Sequence, residues 1–265
     1  MSIKPILFNT EMVRAILDGR KSCTRRLVKP QPDEKHTYPL GFVTDSTEKK
    51  EVGCFGFGID EYGGSIQYAK PPYQPGDILY VRETWRVGAW DIFNQMIAFD
   101  YKDGTCGELT YIHDQELFER LVNQSREDAR KAKCEYNGVD FVWEKGKSPC
   151  RWHPSIHMPK EAARIWLKVT GVRVERLQEI TEDQTEEEGF LFTPPCLHMT
   201  GENYCDIDGP CTSEIKYCDM GAGELFGKVL WNSTIKKSDI DRYGWDASPW
   251  AWVIEFEQCE KPEEN

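Results

Sequence analysis

What this sequence has little of narrows the field first. Its 265 residues contain no run of about 18 apolar residues, so nothing reads as a membrane-spanning helix and no membrane partner is expected. No charged-then-apolar segment opens the chain, which reads as cytoplasmic. Basic residues are outnumbered 33 to 45, and a net charge of −12 argues against non-specific coating of duplex nucleic acid, because that affinity comes from neutralised phosphates. There is no internal repeat and no low-complexity tract. The ten cysteines are scattered, so in a reducing compartment they read as free thiols or metal ligands, and no disulfide-linked partner is expected. A content of 39% hydrophobic and 29% charged residues is that of a soluble globular protein, and the length admits one large core or two small ones.

What is present is locally basic. Arg14, Arg20, Lys21, Arg25, Arg26 and Lys29 form one cluster, and Lys160, Arg164, Lys168, Arg173 and Arg176 form another. Such patches on an acidic chain fit a confined phosphate-bearing ligand, a nucleotide or an RNA loop; solvated strand edges are the plainer alternative.

In chain order, Ile6 to Phe8 reads as a short strand. A helix follows, capped by Asn9 or Thr10, with Met12, Val13, Ile16 and Leu17 on one face and Gly19 as its left-handed stop. Residues 30–74, broken by five prolines with a sixth at Pro75, read as an insertion, within which residues 52–58 form a glycine-bent hairpin. Residues 77–85 and 95–101 are strand candidates. Residues 114–134 make the best long helix, with Leu117, Phe118, Leu121 and Val122 at helical spacing for packing. Val139 to Trp143 is another short strand. Residues 162–177 suggest a brief helix and then strands split at Gly171, and Thr181 with Gln184 forms a capping box for the next helix.

Residues 190–222 hold Cys196, Cys205, Cys211 and Cys218, with His198, among Gly, Pro and Asp. A segment so short of core formers is stapled by zinc on four thiolates or is a flexible free-thiol loop; no Cys-x2-Cys pair favours the former. Cys150, His153 and His157 have ligand-like spacing, but Pro154 and Pro159 oppose a regular helix there. His157 therefore reads as a pocket or barrel-closing residue.

Four stretches carry a resemblance. They are Gly19-Arg20-Lys21-Ser22-Cys23-Thr24-Arg25-Arg26 behind the first helix, Pro75-Gly76-Asp77-Ile78-Leu79-Tyr80-Val81-Arg82-Glu83, Ile180 to Phe190 with its Glu188-Gly189 exit, and Trp250-Ala251-Trp252-Val253-Ile254-Glu255-Phe256. In this order they resemble the ASCH domain family, most closely its larger phage and prophage members. The resemblance implies an α+β fold: one PUA-like β-barrel domain over residues 1–265, with flanking helices and insertions at about 30–74, 102–150 and 190–222. The N-terminal strand, the 77–85 and 165–177 regions and the closing 249–257 strand would form the barrel.

Small ASCH proteins similar at the octet and the Glu-Gly helix are amidohydrolases that deacetylate acetylcytidine. Carried over by motif, their lysine, threonine and glutamate fall on Lys21, Thr24 and Glu188. A threonine hydroxyl needs a base to become a nucleophile, and a lysine whose ammonium is disfavoured by burial or neighbouring cations supplies one. Glu188 would pass the proton to the leaving amine. Arg20, Arg25, Arg26 and Arg164 would bind phosphate or nucleic acid, and Glu83, Trp85 and His157 would line the pocket. No cofactor is needed for this chemistry, and zinc on the four cysteines would be structural. Most ASCH domains carry glutamate where Thr24 stands, so the alternative is a module that binds RNA or a modified nucleotide without turnover.

Overall fold

A computed structural model describes residues 2–190 and 220–262. In chain order it forms β1 (Ile3–Leu7), α1 (Thr10–Leu17), β2 (Cys23–Leu27), β3 (Tyr38–Phe42), β4 (Phe55–Gly58), β5 (Ile66–Ala69) and β6 (Ile78–Arg82). Next come β7 (Trp85–Asp91), β8 (Met96–Tyr101), β9 (Thr110–Tyr111), α2 (Gln115–Lys131), β10 (Glu135–Tyr136) and β11 (Phe141–Val142). The long strand β12 (Trp166–Arg176), α3 (Glu182–Glu187), α4 (Ala222–Leu225), short helical turns and β13 (Trp250–Cys259) complete it. This is a mixed α+β architecture of several sheets, and among the described residues no sheet closes into a barrel. The chain divides into two compact units, one of residues 1–17, 78–168 and 258–265, the other of residues 18–77 and 169–257.

In the first unit β1 runs parallel to β6, with Ile6 opposite Val81, and β6 pairs antiparallel with the start of β12. Its main core lies between β7, β8 and α2. Leu117, Phe118, Leu121 and Val122 are all buried, packed with Trp85, Val87, Ile97, Phe99 and Tyr101. Helical spacing puts these four on one stripe, and each fully buried side chain contributes about 1.5–3 kcal/mol. The side chain of Asp114 caps α2 by accepting the N–H of Leu117 at 3.0 Å. At α1 the cap is Asn9, whose side chain accepts the N–H of Met12 at 2.8 Å.

In the second unit β13 lies between β12 and β2, and its pairing with β2 sets Ile254 opposite Thr24. The glycine-rich β4 is the middle strand of the β3-β4-β5 sheet, and Phe55 and Phe57 meet Trp252 and Trp250 at ring separations of 6.3 and 5.3 Å. Gly171 does not split β12 as its residue type suggests. A Cβ there would overlap the carboxylate of Glu255, so glycine lets that acid of β13 come close while the strand continues.

Candidate functional site

The octet and the Glu-Gly helix meet in the second unit. Thr181 and Gln184 close the expected capping box, so α3 starts squarely, and Gly189 ends it with a left-handed φ of +75°. That exit turns the chain across the octet: Lys21 and Glu188 form an antiparallel bridge, and the N–H of Ser22 donates to the carbonyl of Glu187 at 2.9 Å.

The side chains follow. The Nζ of Lys21 lies 2.7 Å from Oε2 of Glu188, with both side chains almost wholly buried. It also donates to the carbonyls of Cys23 at 2.7 Å and Glu188 at 2.8 Å. Three acceptors match the three protons of an ammonium, and of these acceptors only the Glu188 carboxylate can take a proton away. Arg25 reaches the other oxygen of Glu188 at 3.3 Å and donates to Glu175 at 3.0 Å and Gln184 at 2.7 Å. Arg173 pairs with Glu175 in turn and with Glu255, so three cations and three carboxylates neutralise one another along a chain that runs from the buried Lys21–Glu188 pair out to the part-exposed Arg173.

Thr24 is 1% exposed on β2, and its hydroxyl makes no hydrogen bond to the described residues. The Lys21–Thr24 contact of a base and its nucleophile is not made. Such contacts are often loose without substrate. Burial, and then the Glu188 charge, push the neighbouring Cys23 thiol up to about 12, which removes it as a competing nucleophile at neutral pH.

The basic residues divide. Arg20 is half-buried and ties to the Gly189 carbonyl at 3.3 Å and to Asp18 at 2.9 Å. Arg26 is partly buried, and burial lowers its pKa against the pull of Glu188. Arg25 is committed to acids of its own chain. So is Arg164, in the first unit: its fork meets both oxygens of Glu83 at 2.8 Å and Asp103 at 2.7 Å, over the Tyr101 ring at 4.0 Å. Burial raises the Glu83 pKa in spite of Arg164. Burial works on Asp103 in the same sense, but hydrogen bonds from Arg164 and from the Thr105 amide outweigh it and hold that carboxyl low.

Trp85 and His157 line one cleft of the first unit, and Glu83 is not among its lining residues. Glu175 in the Lys21 cluster, and Arg120 and Gln124 in the cleft, are additions that sequence reasoning missed, while Gln184 was read only as a cap and His153 only for its ligand-like spacing. For the cleft a signal existed, since Leu117, Arg120, Leu121 and Gln124 repeat at helical spacing. Cys196, Cys205, Cys211, Cys218 and His198 lie outside the described residues. Among the described residues no group of three or more His, Cys, Asp or Glu side chains could hold a metal, and no helix is long and apolar enough to cross a membrane. The described cysteines, Cys23, Cys54, Cys106, Cys134, Cys150 and Cys259, are free thiols.

No family model matches the chain, and no curated protein or solved structure matches it either.

Proposed function

We propose that the chain is a nucleoside-directed amidohydrolase of the PUA-like ASCH kind, which removes an acyl group from a modified cytidine. One observation carries this reading: Lys21 and Glu188, which the resemblance pairs chemically, are in contact at 2.7 Å across 167 residues of sequence. In the step envisaged, Glu188 takes a proton from the Lys21 ammonium, and the amine so formed takes the hydroxyl proton of Thr24. The Thr24 oxygen attacks the acyl carbon, the C–N bond breaks, and Glu188 returns its proton to the leaving amine. Water then splits the threonine ester, releasing the carboxylic acid and restoring the hydroxyl.

A second reading, binding of RNA or a modified nucleotide without turnover, is favoured by the saturation of the Lys21 ammonium by three acceptors and by the absence of its contact with Thr24. One assay separates the two. Purified protein is incubated with acetylated cytidine, and release of acetate is followed beside equilibrium binding. Acetate release that Lys21→Ala, Thr24→Ala and Glu188→Gln each abolish, with the double variant Lys21→Ala/Thr24→Ala scarcely worse than either single one, supports the enzyme. Binding without acetate release would leave the reader.

A further inference from the structure

The first unit carries a half-open cleft of about 250 Å³ with unusual lining. Leu117 and Leu121, both buried, give its α2 wall an apolar stripe, and Arg120 and Gln124 alternate with them. Trp85 is 2% exposed and stacks on the ring of His153, with centroids 4.7 Å apart and planes 23° from parallel. Main-chain bonds in both directions lock this pair, Trp85 N–H to the His153 carbonyl at 3.1 Å and His153 N–H to the Trp85 carbonyl at 2.7 Å. His157 completes the polar lining.

None of these polar side chains is spent. Arg120, Gln124 and the rings of His153 and His157 make no hydrogen bond to the described residues, and the indole N–H of Trp85 is buried without an acceptor. A buried donor left unpaired is costly, about 1–3 kcal/mol, so the Trp85 N–H, with the more exposed Arg120, Gln124, His153 and His157 uncommitted beside it, is a reason to look for an acceptor from outside. Arginine and tryptophan can only donate, and glutamine and histidine can do so. No carboxylate lines the cleft, and nearby Asp128 is taken by Arg151 at 2.6 Å. A cation would face a guanidinium with no anion to hold it. A wholly apolar ligand would leave every donor unsatisfied.

We propose that this cleft is a second binding site, which takes a small ligand by an oxyanion, phosphate or carboxylate, on Arg120, Gln124 and His157. The ligand's apolar body lies against Trp85, Leu117 and Leu121. The proposal does not depend on the Lys21 chemistry.

The chain has five histidines, so their ring signals in ¹H–¹³C spectra are countable probes, assigned with His153→Gln and His157→Gln. The full chain is titrated with inorganic phosphate and, separately, with acetate. Saturable shifts confined to His153 and His157 are expected. Tighter saturation by phosphate assigns a phosphate ester, and tighter saturation by acetate assigns a carboxylate. Because Arg120 is exposed, Arg120→Gln should fold, and losing one charged hydrogen bond should weaken binding about tenfold. Gln124→Leu should weaken it less. Shifts spread equally over His36 and His113, an unchanged affinity in Arg120→Gln, or binding of Zn²⁺ with neither anion bound would overturn the proposal.

Discussion

Each unit buries an ion cluster, and the two are built from different cations. In the first, the Arg164 guanidinium meets Glu83 through two parallel bonds of 2.8 Å, fork against fork, with Asp103 on the same nitrogen at 2.7 Å. In the second, the compact ammonium of Lys21 touches Glu188 through one carboxylate oxygen and spends its other protons on main-chain carbonyls. Guanidinium does not give up its proton in a protein, so the Arg164 cluster can only fix geometry. An ammonium can give one up, and Glu188 is placed to receive it. The arginine cluster is the more exposed, its cation at 18% against 0% for Lys21, and the two differ in chemistry as well: a guanidinium holds its protons, whereas an ammonium can lose one.

The sharpest way to break this contrast is Lys21→Arg. It keeps the positive charge beside Glu188 but cannot act as a base, so acetate release from acetylated cytidine should fall by about 10²–10⁴-fold, the range of general acid–base catalysis. Retained turnover would mean that Lys21 moves no proton. Next in size is Arg164→Met, which strands two acids. Urea unfolding should show a loss of about 3–5 kcal/mol, and Arg164→Lys should recover only part of it because a lysine cannot bridge both Glu83 oxygens. Full rescue by lysine would erase the distinction between the clusters.

These clusters also mark where sequence reading succeeds. The α3 capping box and the apolar stripe of α2 are set by residues three or four apart, so they were legible. The Lys21–Glu188 pairing came through the resemblance, since nothing local connects residues so distant. Arg25 and Arg164 read as binders of phosphate or nucleic acid because the acids that hold them lie up to 163 and 81 residues away, beyond any local pattern. Gly171 read as a break for a related reason: the group needing its missing side chain, Glu255, sits on another strand. Trp85 and His157 were expected to line a pocket, but Arg120 was not, because spacing shows which residues share a face and not what lies beside it.

Acid titration gives a smaller test of the arginine cluster. By ¹³C NMR the Glu83 carboxyl should titrate above its ordinary 4.5 and Asp103 below its ordinary 3.8. The signs for stability are opposite: the Glu83 contribution is full below pH 4.5 and lost as pH rises through its raised pKa. That of Asp103 is present above pH 3.8 and lost as pH falls through its depressed one. Arg164 lowers both, so Arg164→Met should move both upward. The smallest effect concerns Cys23, whose thiol should resist iodoacetamide at pH 8 in the folded chain and react once urea unfolds it; ready alkylation of the native protein would show that the Lys21 cluster is open to reagent.

The long return from Lys21 to Glu188 has a consequence for how this chain can vary. Closing a loop costs entropy that grows only with the logarithm of its length, so doubling the 167-residue separation would add about 0.6 kcal/mol. One charged hydrogen bond, at about 1.5–3 kcal/mol, outweighs that. Loops between the octet and the Glu-Gly helix can therefore lengthen at little thermodynamic penalty, provided that the strands, the α2 core and Glu175 within that span are kept and the main-chain bridge at Lys21 and Glu188 still closes. Selection on the length of the spacer would be weak, and selection on its two ends strong.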